Sequence, residues 1–160
     1  MPAVPPSYLS GLLGDSEAEA LLSGEAMVRA MLDAEAALAE AQGELGDIPA
    51  EAAEAISESA RSLTLAPEDL AETTERDGVP VPELVARLRR AVPEPHGQYV
   101  HWGATSQDIL DTAAAQTLGA ILALCGERLA RVVAALAELA EAQRATVMVA
   151  RTRGQQATPT

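Results

Sequence analysis

Lysine and phenylalanine are missing from the 160 residues, and there are only one tryptophan, two tyrosines and one cysteine. Without lysine, no Schiff base and no lysine general base can come from this stretch. With so few aromatics, a compact aromatic-rich core is unavailable. Cys125 has no partner for a disulfide and sits in an apolar run, so it reads as a buried thiol in a reducing compartment. No His/Cys/Asp/Glu set has metal-ligand spacing, and no glycine-rich loop follows a strand. The longest uncharged run, Thr112 to Gly126, falls short of the ~20 residues a membrane span needs. The opening Met1-Pro2-Ala3-Val4-Pro5-Pro6 has neither the basic nor the apolar region of a signal peptide. A soluble, cytoplasmic protein is expected.

What is present is alanine and leucine. Hydrophobic residues make up 48% of the chain, and these two dominate them. Helices packed closely through small side chains are the natural use of that mixture, and the β-branched and aromatic runs that announce strands are absent. The sequence predicts an all-α fold. The net charge of -13 is unevenly spread: residues 1–78 hold 17 acids against 3 arginines, whereas 79–160 hold 7 against 8. The acidic front excludes nucleic acid and an anionic membrane surface as partners. The arginines gather where a small anion can be received.

Along the chain, residues 1–14 read as an extended, proline-stiffened arm. Ser23-Gly24-Glu25 then opens a helix whose Met27, Met31, Ala34, Leu38, Ala41 and Leu45 recur at helical spacing. Glu35, close to this stripe, is a candidate for burial, although a solvated acid is the commoner state of Glu. Gly46-Asp47-Ile48-Pro49 ends that helix. A short one over 50–62 follows, with Ala52, Ala53, Ile56 and Ala60 inward. Further helices run from Pro67 to the Asp77-Gly78 stop and from Val81 to Val92, and Pro93–Gly97 is a loop. His96 reads as a surface residue and Trp102 as a packing anchor.

The densest stretch is His101-Trp102-Gly103-Ala104-Thr105-Ser106-Gln107-Asp108. Thr105 with Asp108 three residues on is a capping-box-like start, the acid lying where the helix dipole favours it. Thr105 and Ser106 either cap the helix or, with the first-turn amides, receive a carboxylate or phosphate. From Ser106 the helical pattern continues unbroken to about Arg144. Leu118, Ile121, Cys125, Leu129, Val132, Leu136 and Leu139 form a bundle seam, and Leu122, Leu124 and Val133 make other faces apolar. The remaining residues cannot surround such a helix, so other parts of the protein or other subunits are expected to cover it. The last residues, Val147 to Thr160, read as an apolar lead-in, a polar glycine-containing turn and the start of another element. The chain is expected to be the N-terminal piece of a longer protein.

Three stretches carry a resemblance to a known family: Met31–Leu38 with Gly46-Asp47-Ile48-Pro49, His101–Ala113, and Ala150-Arg151-Thr152-Arg153-Gly154-Gln155-Gln156-Ala157-Thr158-Pro159. In this order they resemble the fumarase/aspartase superfamily of β-elimination enzymes. The stretch His101–Ala113 is similar to the adenylosuccinate lyase branch. The stretch Ala150–Pro159 is similar to the 3-carboxy-cis,cis-muconate cycloisomerase branch. The resemblance implies an N-terminal helical domain over 1–104. It implies the truncated start of a central helical bundle over 105–160, assembled in a homotetramer whose active sites are shared by three subunits. It implies a small polycarboxylate substrate, no metal and no cofactor. His101, Thr105 and Ser106 would line the anion site, joined by Arg151, Thr152, Arg153 and Gln155. No catalytic residue is expected within 1–160, because the family's base serine lies on a loop downstream of Thr160. These residues alone would then be inactive.

One departure separates the branches. Adenylosuccinate-type lyases carry a histidine, acting in proton donation, where this chain has Arg153. A guanidinium with pKa above ~12 is no useful acid near neutrality, and an amine leaving group would need one. A carboxylate, with pKa near ~4, leaves unaided. Arg153 can instead bind a substrate carboxylate bidentately, or pair with a structural acid. The contrasting reading of the whole pattern is a non-catalytic helical oligomerisation module.

Overall fold

The structure is a computed structural model that describes residues 10–147, 149–151, 154 and 156–159. Among the described residues there are seven α-helices: α1 Ser10–Leu13, α2 Ser16–Leu21, α3 Gly24–Leu45, α4 Ala50–Ser62, α5 Glu68–Asp77, α6 Val81–Ala91 and α7 Ser106–Ala142. A 3-10 turn spans His96–Tyr99. The helical class stands. Two small differences follow. The proline-rich arm gives way to helix by Ser10, and a short antiparallel hairpin, β1 Val149–Arg151 with β2 Gln156–Pro159, closes the chain. Gly154, a bend, is the described residue between those strands and belongs to the polar, glycine-containing segment of the sequence.

The chain divides into two compact units, one through Ile121 and one from Leu122 onward. The first holds the core. Its centre is the pairing of α3 with α4, framed by α5, α6 and the 3-10 turn. α3 starts where the Ser23 hydroxyl accepts the Ala26 amide and stops at Gly46, whose left-handed φ of 79° a side chain would strain. Asp47 N–H then donates to the Gln42 carbonyl, satisfying an end group of the helix. The two helices approach closely because Gly43 has no side chain: a Cβ there would lie 2.5 Å from that of Ala53. Arg29 reaches from α3 to the C-terminus of α4 and donates to the carbonyls of Ala60, Arg61 and Leu63. A cation is favoured there by the helix dipole, and these last-turn carbonyls have no intrahelical donor. Arg61 pairs with Glu40 across the same contact.

Ala52, Ala53, Ile56 and Ala60 are buried as the spacing predicts. On α3 the buried face is rotated from the expected stripe. Val28, Met31, Leu32, Ala34, Glu35, Ala36 and Ala39 are inside, whereas Ala41 and Leu45 are exposed. The cause is that α3 is covered on two sides by α4 and by the segment leading to α7, so its inner surface is wider than one stripe.

α7 is the reverse case. Among its 37 residues only Ile109 and Ala113 are buried. Leu118, Leu122, Leu129, Val132, Val133, Leu136 and Leu139 are each more than half exposed, and Cys125 is exposed rather than buried. No described helix is long and apolar enough to cross a membrane.

Replacing Gly43 by alanine tests the α3–α4 contact. Alanine would ordinarily stabilise a helix by up to ~1 kcal/mol, but overpacking against a second backbone-anchored methyl costs about 1–3 kcal/mol. A net loss of stability in chemical denaturation is the expected outcome.

Candidate anion-binding turn

Gly97 begins the construction of the site. A Cβ on it would come within 2.8 Å of the Arg89 carbonyl, so only glycine lets the 3-10 turn lie against α6. From α6 the Arg89 guanidinium donates to the carbonyl of fully buried Val100 at 3.1 Å, fixing the length of chain that follows. His101 and Gly103 then take left-handed φ values of 60° and 69°. For glycine this is free; for histidine it is a strained conformation that needs support.

That support is Glu35. Its Oε1 lies 2.6 Å from His101 Nδ1, with the Glu35 side chain fully buried and that of His101 at 15% exposure. Glu35 is therefore not the solvated acid its residue type suggests. Its position is visible in the sequence in one respect: it falls in step with Val28, Leu32 and Ala39, the middle of the face that is buried. The other carboxylate oxygen, Oε2, is buried without a hydrogen-bond partner among the described residues. A further tie runs from α3, where Gln42 Nε2 donates to the Trp102 carbonyl at 2.7 Å. Trp102 itself stacks at a tilt on Tyr99, ring centroids 5.7 Å apart, and is 49% exposed. It is half exposed rather than a buried anchor beneath the turn.

α7 begins at this turn. Asp108 Oδ2 accepts the Thr105 amide at 2.9 Å, and the Asp108 amide donates to the Thr105 carbonyl. The acid of the capping box thus reaches back as its spacing implies. The hydroxyl half is not made: among the described residues no hydrogen bond engages the Thr105 or Ser106 side chain. Helix capping therefore leaves both hydroxyls available beside the α7 N-terminus, where backbone amides and the dipole favour an anion.

An open cavity of about 610 Å³ lies next to the turn, between α3 and the start of α7, and includes Gln42, Trp102, Gly103, Asp108 and Thr112. None of His101, Thr105 or Ser106 lines it, so the cavity and the hydroxyl turn are neighbours rather than one site. Of the other sequence candidates, Arg151 ends β1 in the second unit. Thr152, Arg153 and Gln155 lie outside the described residues. No group of three or more potential metal ligands occurs among the described residues.

A helical fold opening into a long apolar helix, with a His-x-x-x-Thr-Ser turn at its start, defines a class of enzyme. The family profile described as lyase matches residues 14–160, and the chain belongs to that family, within the fumarase/aspartase superfamily. Among curated relatives, the adenylosuccinate lyase of Methanothermobacter thermautotrophicus is 39% identical over 92% of this chain and 33% of its own length. The 3-carboxy-cis,cis-muconate cycloisomerase of Bradyrhizobium diazoefficiens is 39% identical over 94% and 34%. The nitrosuccinate lyase of Streptomyces davaonensis is 41% identical over 94% and 33%. The crystal structure of β-carboxy-cis,cis-muconate cycloisomerase from Acinetobacter calcoaceticus sp. ADP1 superposes with a TM-score of 0.87 at 34% identity, covering 96% of this chain and 37% of that one. The chain spans about a third of the length of the curated relatives it matches.

The capping geometry separates two neighbouring side chains. Asp108→Ala removes the acceptor for the Thr105 amide and is expected to cost about 1 kcal/mol. Thr105→Ala, removing a hydroxyl without a cap bond, should stay within ~0.5 kcal/mol of the parent. Thermal unfolding of the two variants side by side checks the difference.

Proposed function

We propose that the protein carrying this chain is a 3-carboxy-cis,cis-muconate cycloisomerase, lactonising that tricarboxylate to 4-carboxymuconolactone in protocatechuate breakdown. An oxygen of one carboxylate forms a bond to the ring-closing carbon while the C=C π bond breaks. The electron pair moves onto the neighbouring carboxylate as an enolate-like aci-carboxylate, and the α-carbon then takes a proton. Oriented donors lower the barrier by stabilising the charge of that intermediate. In this reading Thr105, Ser106 and His101 receive one carboxylate at the start of α7. Arg151 and Arg153 bind others, Thr152 and Gln155 complete the contacts, and a serine from beyond Thr160, the base of the reverse, eliminating direction, delivers the proton to the α-carbon. No metal or cofactor is required.

The observation that carries the reading is Arg153. It stands where adenylosuccinate-type lyases have an acid-supplying histidine, beside the Gln155-Gln156-Ala157-Thr158-Pro159 segment of the cycloisomerase pattern. A carboxylate that adds and departs without acid help suits an arginine there. An alternative is elimination of nitrite, also a weakly basic leaving group, from a nitrosuccinate; the 41% identity to a nitrosuccinate lyase favours it. Adenylosuccinate, whose leaving group needs a proton, fits Arg153 least.

The exposed apolar length of α7 supports the remainder of the proposal, that subunits assemble as a homotetramer through these helices, with residues 1–104 as the N-terminal domain and 105 onward as the start of the bundle.

Two measurements test these statements. The full-length protein should bleach the ultraviolet absorbance of 3-carboxy-cis,cis-muconate, with no nitrite from nitrosuccinate and no fumarate from adenylosuccinate. Turnover of either of the latter two in place of the muconate would overturn the assignment. In sedimentation velocity the protein should run as a tetramer, and exchange of Leu129 and Leu136 for glutamate should shift it towards smaller species; a parent that sediments as a monomer would refute assembly through α7.

A further inference from the structure

Three observations meet at one side chain. His101 is the one described non-glycine residue with a positive φ, 60°. Its Nδ1 is 2.6 Å from a carboxylate whose side chain has no exposure. That carboxylate's other oxygen is buried and has no partner among the described residues. A carboxylate only accepts, so Nδ1 carries the proton of this bond and the ring's Nε2 is the nitrogen left for another partner. Glu35 would lose its one observed partner if the imidazole swung away, leaving a buried charge uncompensated. The contact therefore holds the ring in place and holds the backbone of the turn in its left-handed conformation.

We propose that Glu35 is a positioning residue for anion binding: it fixes His101 so that Nε2 meets a substrate carboxylate beside the Thr105–Ser106 turn. Both partners of the imidazole are then acceptors. With substrate bound the ring carries a proton on each nitrogen, the additional one taken from solvent, and the buried negative charge of Glu35 supports the resulting imidazolium. Glu35 touches no substrate in this arrangement. It acts through the orientation and charge of His101, in the way that a buried carboxylate orients a metal-binding or catalytic histidine. Gln42 supplies a separate tie from the same helix by holding the Trp102 carbonyl. Two contacts from α3 thus set the turn, and only one of them bears on charge.

The inference rests on the polycarboxylate reading above, and the test keeps the two apart. In the full-length enzyme, Glu35→Gln and Glu35→Met should each raise KM about tenfold, the loss of one charge-assisted contact, with kcat within about threefold. The melting temperature should hold in Glu35→Gln, whose amide oxygen still accepts from His101 Nδ1, and fall in Glu35→Met, which leaves that donor without its partner. In a His101→Asn background the Glu35 substitutions should leave KM where His101→Asn alone puts it. An unchanged KM in Glu35→Gln would overturn the proposal. So would effects of Glu35→Gln and His101→Asn that multiply, or failure of both Glu35 variants to fold, which would place Glu35 in the scaffold alone. A parent enzyme inactive on the tricarboxylate would sink only the substrate reading; the KM comparison is then made on nitrosuccinate or adenylosuccinate, whichever is turned over.

Discussion

The contact between Glu35 and His101 links a helix near the front of the chain to a turn 66 positions later, and the geometry of that turn follows from it. A carboxylate withdrawn from water is costly unless it meets a donor, and a histidine in the left-handed region is strained unless something holds it. Each supplies what the other lacks. The pair fixes where the backbone turns before α7 and so fixes the direction in which Thr105 and Ser106 present their hydroxyls. Asp108 then caps the amide of Thr105, which leaves the hydroxyls out of the helix's own hydrogen bonding. A turn that already satisfies its backbone without using its hydroxyls is suited to receive a ligand.

The packing beneath the turn is a matter of small residues. Gly43 against Ala53 brings α3 and α4 together, and Gly97 against the Arg89 carbonyl brings the 3-10 turn onto α6. A core with so few aromatics has little bulk with which to fill gaps, so close backbone approach takes its place. α7 shows the opposite balance. Its apolar side chains outnumber what this chain can cover, and only two of its residues are buried. Burying apolar surface is the dominant favourable term in association as well as in folding, and this exposed apolar length is what the proposed assembly through α7 rests on.

Much of this is legible in the residues. The helices over 50–62, 68–77, 81–91 and from 106 lie within a residue or two of their sequence signals, because proline, glycine and the acidic first turns punctuate them. The surplus of α7 shows as a seam with apolar residues on its other faces. Glu35 is only half legible as a buried acid: its place beside the apolar stripe allows burial, residue type argues for solvent, and the donor that decides between them is remote in sequence. Trp102 misleads for a similar reason, since an aromatic reads as core until its neighbours are known. Cys125 is exposed because the helix around it is uncovered within this chain.

The sequence by itself determined the helical class, the breaks between helices, the capping acid at Asp108 and the family, since local periodicity and motif spacing are properties of consecutive residues. Only the tertiary structure decided that Glu35 is buried, that it grips His101, that the buried face of α3 is rotated from its simplest stripe, and that the hydroxyls of Thr105 and Ser106 are spare. Each of these depends on which segment lies against which, and burial is a property of the neighbours a side chain acquires rather than of the side chain.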